Sequence, residues 1–242
     1  MTQSRINKFI ASSGHCSRRQ ADELIEAGEV KINDRVAKLG DTVGQNDVIT
    51  IGKKTIGSRE QDIYIAFNKP VGVISTLDPE AENSVLDYVK TNDRFFYVGR
   101  LDVLSSGLML LTNNGDVANK ITRSEEDHEK EYVVTVDKKM TRRFIDSMRS
   151  GVNVKNTDGE AGPYVTKPAR IKKLSDNRFN IILTESKNRQ IRNMCKALGY
   201  SVKKLKRIRI MNIKLRELGD GNWRYLSSKE RRELLEALKT RP

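Results

Sequence analysis

The sequence is poor in the side chains that hold metals and build disulfide frameworks. It has two cysteines, Cys16 and Cys195, and two histidines, His15 and His128, with no CxxC pair. Structural zinc sites draw on closely spaced Cys and His pairs, and disulfide scaffolds need several bridges, so neither is expected. Long apolar runs are also missing. Stretches such as residues 64–67 and 108–111 fall far short of the roughly 18 that a membrane-spanning helix needs. The first 14 residues hold no continuous apolar segment and no small-residue cleavage site, which gives the expectation of a cytoplasmic protein with no membrane partner. A glycine-rich phosphate loop is absent too, so neither a metal nor a nucleotide or redox cofactor is expected.

Acidic residues thin out toward the end of the chain. Lys and Arg stand against Asp and Glu as 7 to 7 in residues 1–52, 15 to 16 in residues 53–150 and 23 to 9 in residues 151–242, for a net charge of +13. Residues 167–209 alone hold 14 basic and 2 acidic side chains, although their apolar periodicity reads as folded. A solvated surface is the plainer reading of any one of these cations. Clustered on a folded face they favour a nucleic acid, because neutralising phosphates releases condensed counterions.

Residues 5–52 read as a small module of two helices and a sheet. Ile6, Phe9 and Ile10 share one helical face, with Gly14 as a left-handed cap. Ser17 and Gln20 are spaced as a capping box, Ala21, Leu24 and Ile25 form the next apolar stripe, and Gly28 closes it. Val30 and Ile32 alternate before a turn at Asn33 and Asp34, and Val48, Ile49 and Ile51 suggest a closing strand. Residues 53–62 lack periodicity and read as a linker. Beyond it, residues 63–242 form one mixed α+β domain. Strands are expected at 63–67, 71–76, 95–98, 108–112, 131–136, 169–172 and 179–183. Helices are expected at 84–89, 116–121, 141–148, 189–198 and 227–239, the last opened by a Ser227 and Glu230 capping box.

Asp102 is the carboxylate that suggests chemistry. Gly99, Arg100, Leu101 and Asp102 follow one apolar strand, and Ser105, Ser106 and Gly107 lead into another, so Asp102 sits on a glycine-bounded loop held by core strands. Spacing alone reads as readily as an aspartate bonding its own turn. The wider pattern decides more. Gly99, Arg100, Leu101 and Asp102 are followed by Ser106, Gly107 and Leu108, then by Leu111, Thr112 and Asn113. Asn68, Lys69 and Pro70 precede them with Gly72 and Thr76; Glu129, Lys130, Glu131 and Tyr132 come after; Asn188, Arg189, Gln190, Ile191 and Arg192 come last, with Met194. These four motifs, in this order, resemble the RNA pseudouridine synthases of the small-subunit ribosomal type, a family that includes several large-subunit enzymes. Residues 127–132 and 194–212 are most similar to its large-subunit members. Residues 5–52, with Ser17, Arg18, Arg19, Gln20, Ala21 and Asp22, resemble the RNA-binding module first described in ribosomal protein S4.

The resemblance implies a mixed-sheet catalytic domain with a central cleft, following a small RNA-binding module. It implies conversion of uridine to pseudouridine with Asp102 as the catalytic residue, kept ionised by the charge and hydrogen bonding of Arg192. Tyr132 would stack on the extruded uracil, Ile191 would line its pocket and Arg100 would fill the space the base leaves. Arg5, Lys8, Arg18, Arg19, Lys69 and Arg189 are the remaining candidates for RNA contact. For Lys69 a bracing role fits as well, and for Tyr132 and Ile191 so does an ordinary core position. The expected partner is ribosomal RNA, with transfer RNA as a further candidate, and a monomer is expected. Two rivals stand beside this reading. A non-catalytic RNA-binding or ribosome-assembly protein would need only residues 5–52 and the basic stretch. A glycosidase or nuclease would need a second carboxylate or metal ligands, for which Asp116 is the nearest candidate, although Asp116 reads better as a helix N-cap.

Overall fold

The computed structural model describes residues 3–57, 61–123, 127–155 and 163–239. They fall into two compact units. One comprises Met1–Ile63, Asn92–Phe95 and Asn113–Gly115, the other Tyr64–Thr91, Phe96–Thr112 and Asp116–Pro242.

The first unit contains β1 (Ser4–Arg5), α1 (Ile6–Ser12), α2 (Arg18–Glu26), β2 (Val30–Ile32), β3 (Arg35–Val36), β4 (Thr42–Val43), β5 (Ile49–Ile51) and β6 (Lys54–Ile56). Local signals set both helices. The Gln20 amide donates to Ser17 Oγ at 3.2 Å while Ser17 N–H donates to Gln20 Oε1 at 3.0 Å, the reciprocal pair that starts α2. Ile6, Ile10, Ala21 and Ile25 pack with Val30, Ile32 and Ile49 into one core. Between the paired residues Ile32 and Arg35, Asn33 and Asp34 both hold positive φ, 48° and 70°, so this turn needs no glycine. The stretch read as a linker starts inside the sheet, since β6 pairs with β5. Only Ile56 of β6 is buried, too little to make a period. Residues 58–60 of that stretch lie outside the described residues.

The remaining elements are β7 (Tyr64–Lys69), α3 (Val85–Tyr88), β8 (Phe96–Val98), β9 (Ser106–Thr112), α4 (Gly115–Thr122), β10 (Lys130–Val136), α5 (Arg142–Ser150), β11 (Asn153–Val154), β12 (Tyr164–Val165), β13 (Arg170–Lys173), β14 (Arg178–Leu183), α6 (Gln190–Ala197), β15 (Val202–Ile210), β16 (Ile213–Lys214), β17 (Trp223–Tyr225) and α7 (Ser228–Lys239). A mixed sheet runs in the order β13-β14-β10-β15-β9-β7-β17. Its contacts are antiparallel except for β15 with β9, which run parallel through two register pairs, Lys206 with Ser106 and Arg207 with Gly107.

That short junction divides the sheet into halves with separate cores. On one side Val134, Phe179, Ile181 and Leu205 pack against Phe144 and Met148 of α5 and Ile191 and Met194 of α6. On the other, Tyr64, Ala66, Leu108 and Leu110 pack against Val117 and Ile121 of α4 and Leu234 and Leu238 of α7. Gly107 makes the junction possible. Its φ is +103°, and a Cβ there would stand 2.2 Å from the Arg207 carbonyl oxygen.

Three expectations need correction. Residues 71–76 form no strand, only an isolated bridge from Ile74 to Ser84. Gly72 turns the chain at φ +94°, and its N–H goes to Val103 O at 2.8 Å rather than into a ladder. Residues 202–210, read only as a basic run, form a nine-residue central strand. Asp116 is not a cap, because α4 begins at Gly115 and Asp116 lies within its first turn.

Candidate active site

The loop of residues 99–105, joining β8 to β9, is braced on several sides. Ser105 N–H donates to Asp102 O at 2.9 Å and closes a turn. Ser75 Oγ donates to Leu101 O at 2.6 Å and accepts the Leu101 amide at 3.3 Å, while Gly72 N–H holds Val103 O. The segment around Gly72 and Ser75 therefore works as a brace for the Asp102 loop. A reactive group on a loop needs such support to keep its aim.

Asp102 and Arg192 meet from opposite halves of the sheet. Arg192 Nε stands 3.7 Å from Asp102 Oδ2, with the two side chains 11% and 33% exposed. The charges pair, but the separation exceeds hydrogen-bond distance, so charge without the expected hydrogen bond is what Arg192 supplies. Its Nη2 donates instead to Leu104 O at 2.8 Å and Ser105 Oγ at 3.1 Å, and its Nη1 to Val202 O at 3.4 Å. The guanidinium is thus fixed by neutral acceptors, and Asp102 lines the cleft. Burial lowers the Arg192 pKa from its ordinary value, and the Asp102 charge opposes that shift.

A cleft of about 260 Å³ opens here, lined by Arg100, Asp102, Tyr132, Arg189 and Ile191 among others. Tyr132, on β10, is half-buried and packs on the same apolar cluster as the buried Ile191. Both are therefore core and cleft residues at once. Arg100 is exposed. Arg189 sits at the N-terminus of α6 in a left-handed conformation, φ 49°.

Lys69 is the candidate that moves. It is fully buried and donates to Pro70 O and Val73 O, each at 2.8 Å, so it does not reach RNA. It holds the bracing loop. Burial brings its pKa down to about 8, and the Asp102 charge works the other way. Lys69 is thus a second cation within electrostatic reach of Asp102.

In the first unit Arg5 is exposed just before α1, Lys8 is half-buried on α1, and Arg18 and Arg19 are exposed in the first turn of α2. No acidic residue shares that turn. Two cations at the positive end of a helix are unfavourably placed unless an anion joins them.

Sequence reasoning missed Lys130 and Arg207, both lining the cleft and both buried. Arg207 sits opposite Tyr132 in the β10–β15 register. A buried arginine on a strand runs against the hydrophobic pattern, so nothing in the sequence separates it from its exposed basic neighbours. Cys195 is buried, which raises its thiol pKa to about 12 and removes it as a nucleophile. Among the described residues, no group of His, Cys, Asp and Glu could hold a metal ion, and no helix is long and apolar enough to cross a membrane.

Comparisons with known proteins agree with this architecture. The RNA pseudouridylate synthase family model matches residues 63–197, and the S4 domain model matches residues 4–49. The dual-specificity RNA pseudouridine synthase RluF of Salmonella typhi is 46% identical over 95% of this chain and 78% of its own length. Ribosomal large subunit pseudouridine synthase B of Bacillus subtilis is 35% identical, over 95% of both chains. A crystal structure of a pseudouridylate synthase superposes with a TM-score of 0.69 at 31% identity, covering 95% of this chain and 99% of that one. With an S4 domain ahead of a mixed-sheet catalytic domain, the chain belongs to the RNA pseudouridylate synthase family and is an RNA pseudouridine synthase.

Proposed function

We propose that the enzyme isomerises one specific uridine in a stem-loop of large-subunit ribosomal RNA, with Asp102 as its only catalytic carboxylate. The observation that carries this reading is the Asp102 carboxylate, ion-paired with a half-buried Arg192 in a cleft of about 260 Å³. The reaction breaks the N1–C1′ bond of uridine, turns the retained base and forms a C5–C1′ bond, while a proton leaves C5 and another reaches N1. All heavy atoms of the base stay in the product, so the chemistry calls for no water, metal or redox cofactor. A hydrolytic glycosidase typically uses two carboxylates flanking the bond, and the other carboxylate of this cleft, Glu185, is occupied. Its Oε1 accepts from Gln190 Nε2 at 2.6 Å and from Lys167 N–H at 2.9 Å.

The target base must leave its stack to enter. Tyr132 stacks on it, Ile191 packs its edge, and Arg100 occupies the vacated place in the RNA. Arg192 sets its positive charge beside the Asp102 carboxylate in the cleft. Arg189 holds backbone phosphate at the rim. In the S4 domain Arg5, Lys8, Arg18 and Arg19 dock the folded RNA, with phosphate meeting the start of α2. The names of the relatives speak of dual specificity and of the ribosomal large subunit, which supports a ribosomal target and makes transfer RNA the second substrate to examine. We assign action as a monomer in the cytoplasm.

The test is a map of pseudouridines in ribosomal and transfer RNA from cells with and without the gene, followed by reaction of purified enzyme with the RNA that changes. Loss of one large-subunit site, restored in vitro in the presence of chelator, is the expected result. An unchanged large-subunit map would overturn the ribosomal assignment. RNA affinity should also fall steeply with salt, because the cations within residues 167–209 displace counterions; a flat response would remove the docking model.

A further inference from the structure

The floor of the cleft holds two cations that the roles above leave unused. Arg207 is 3% exposed and Lys130 is 6% exposed, and both line the cleft. Arg207 Nε donates to Leu108 O at 2.7 Å, across the junction of the two half-sheets. Its Nη2 is buried and has no hydrogen-bond partner among the described residues. A buried unsatisfied guanidinium donor costs free energy that folds rarely tolerate without a purpose. Neither Arg207 nor Lys130 has a carboxylate within ion-pair range among the described residues, whereas Arg192 has Asp102. The cleft floor therefore carries a surplus of positive charge, facing the place where a base stacked on Tyr132 would lie.

We propose that Arg207 is a further catalytic residue of this site, its unsatisfied Nη2 donating to a carbonyl oxygen of the flipped uracil. Whichever route Asp102 takes, the base gains electrons in this reaction. Breaking N1–C1′ leaves the bonding pair on uracil, where it spreads onto N1, O2 and O4. Addition of the carboxylate to the ring instead would push charge onto a carbonyl oxygen. A guanidinium already fixed by its Nε bond is pre-aimed at that charge and needs no reorganisation as the charge develops. Depth selects the base over the backbone as ligand. Phosphate would remain at the rim near the exposed Arg100 and Lys187, while Arg207 and Lys130 are reached only from inside. Consistent with crowded positive charge awaiting a partner, burial and then the Arg207 charge bring the Lys130 pKa down to about 8.

This inference rests on the assignment of the cleft as the uridine site, and the experiment separates the two. Single-turnover rates are compared for substrate RNAs carrying uridine, 2-thiouridine or 4-thiouridine at the target, with parent enzyme and with Arg207→Lys. Sulfur is a weaker acceptor than oxygen, so for the parent one of the thio substrates should react at least about 10-fold more slowly than uridine. Arg207→Lys, which keeps the charge and loses the fork, should slow uridine by on the order of 100-fold with RNA affinity retained. The thio penalty should largely vanish in that variant, an interaction that a merely structural arginine would not produce. Equal parent rates on all three RNAs overturn the proposal without any variant, and so does an undiminished thio penalty in Arg207→Lys. A parent enzyme that forms no pseudouridine in any RNA removes the site assignment itself.

Discussion

The two halves of the catalytic sheet carry different parts of the chemistry. The half built on β9, β7 and α7 presents one carboxylate, Asp102, on a loop held by backbone and hydroxyl hydrogen bonds. The half built on β10, β14 and α6 presents the aromatic ring, the apolar wall and the cations Arg192, Arg207 and Lys130. Each half has its own core, and they meet through two parallel register pairs. The acid and its counter-charge are thereby placed on separately packed bodies. They stand 3.7 Å apart, with the Arg192 guanidinium also bonded to Leu104 O and Ser105 Oγ of the Asp102 loop.

The largest expected loss of stability comes from breaking that junction. Gly107→Val would drive a side chain into the Arg207 backbone at a φ of +103°. It should cost at least about 3 kcal/mol, seen as a lower denaturant midpoint. A midpoint within error of the parent would mean that the halves need no close approach there. Next in size is Arg192→Met, which keeps the bulk of the side chain and removes the counter-charge. Single-turnover rates should fall by on the order of 100-fold with RNA affinity retained, because the cation paired with Asp102 is gone. An undiminished rate would show that the chemistry does not depend on the Arg192 charge beside Asp102.

The smallest effect distinguishes the halves by pH. Arg224 donates to Glu230 through two nitrogens at 2.7 and 2.8 Å, fastening α7 to β17 in the Asp102 half, and this brings the Glu230 pKa down to about 2. The folded-state value lies below the unfolded one. The stability this contributes is therefore present above roughly pH 4.3 and is lost as pH falls toward 2. Glu230→Gln should cost on the order of 2 kcal/mol at pH 7, and variant and parent should converge near pH 2. A constant difference across that range would assign the effect to packing.

Legibility from sequence follows the range of the interaction. Ser17 with Gln20, and Ser227 with Glu230, are pairs three residues apart, and both cap helices as expected. Residues 71–76 look like a strand because they are β-branched and apolar, yet the Gly72 amide is claimed by Val103, some thirty residues away in sequence. The central strand β15 was hidden by its lysines and by Arg207, a charged residue on the face that alternation reserves for apolar ones. At the site, Asp102 and Arg192 stand 90 positions apart. No local pattern joins them, so only the family resemblance pointed to the pair. The same resemblance was silent on Arg207 and left Lys69 open between RNA contact and bracing; burial decides for bracing.

The central claim is that Asp102 is the group without which the chemistry cannot start. The direct measurement is single-turnover pseudouridine formation by Asp102→Asn at saturating enzyme on the substrate RNA, alongside RNA affinity and a circular dichroism spectrum. The substitution keeps the shape and removes the charge. The account predicts a folded protein that binds RNA at least as tightly as the parent and forms product slower by several orders of magnitude. Turnover by Asp102→Asn near the parent rate would contradict it.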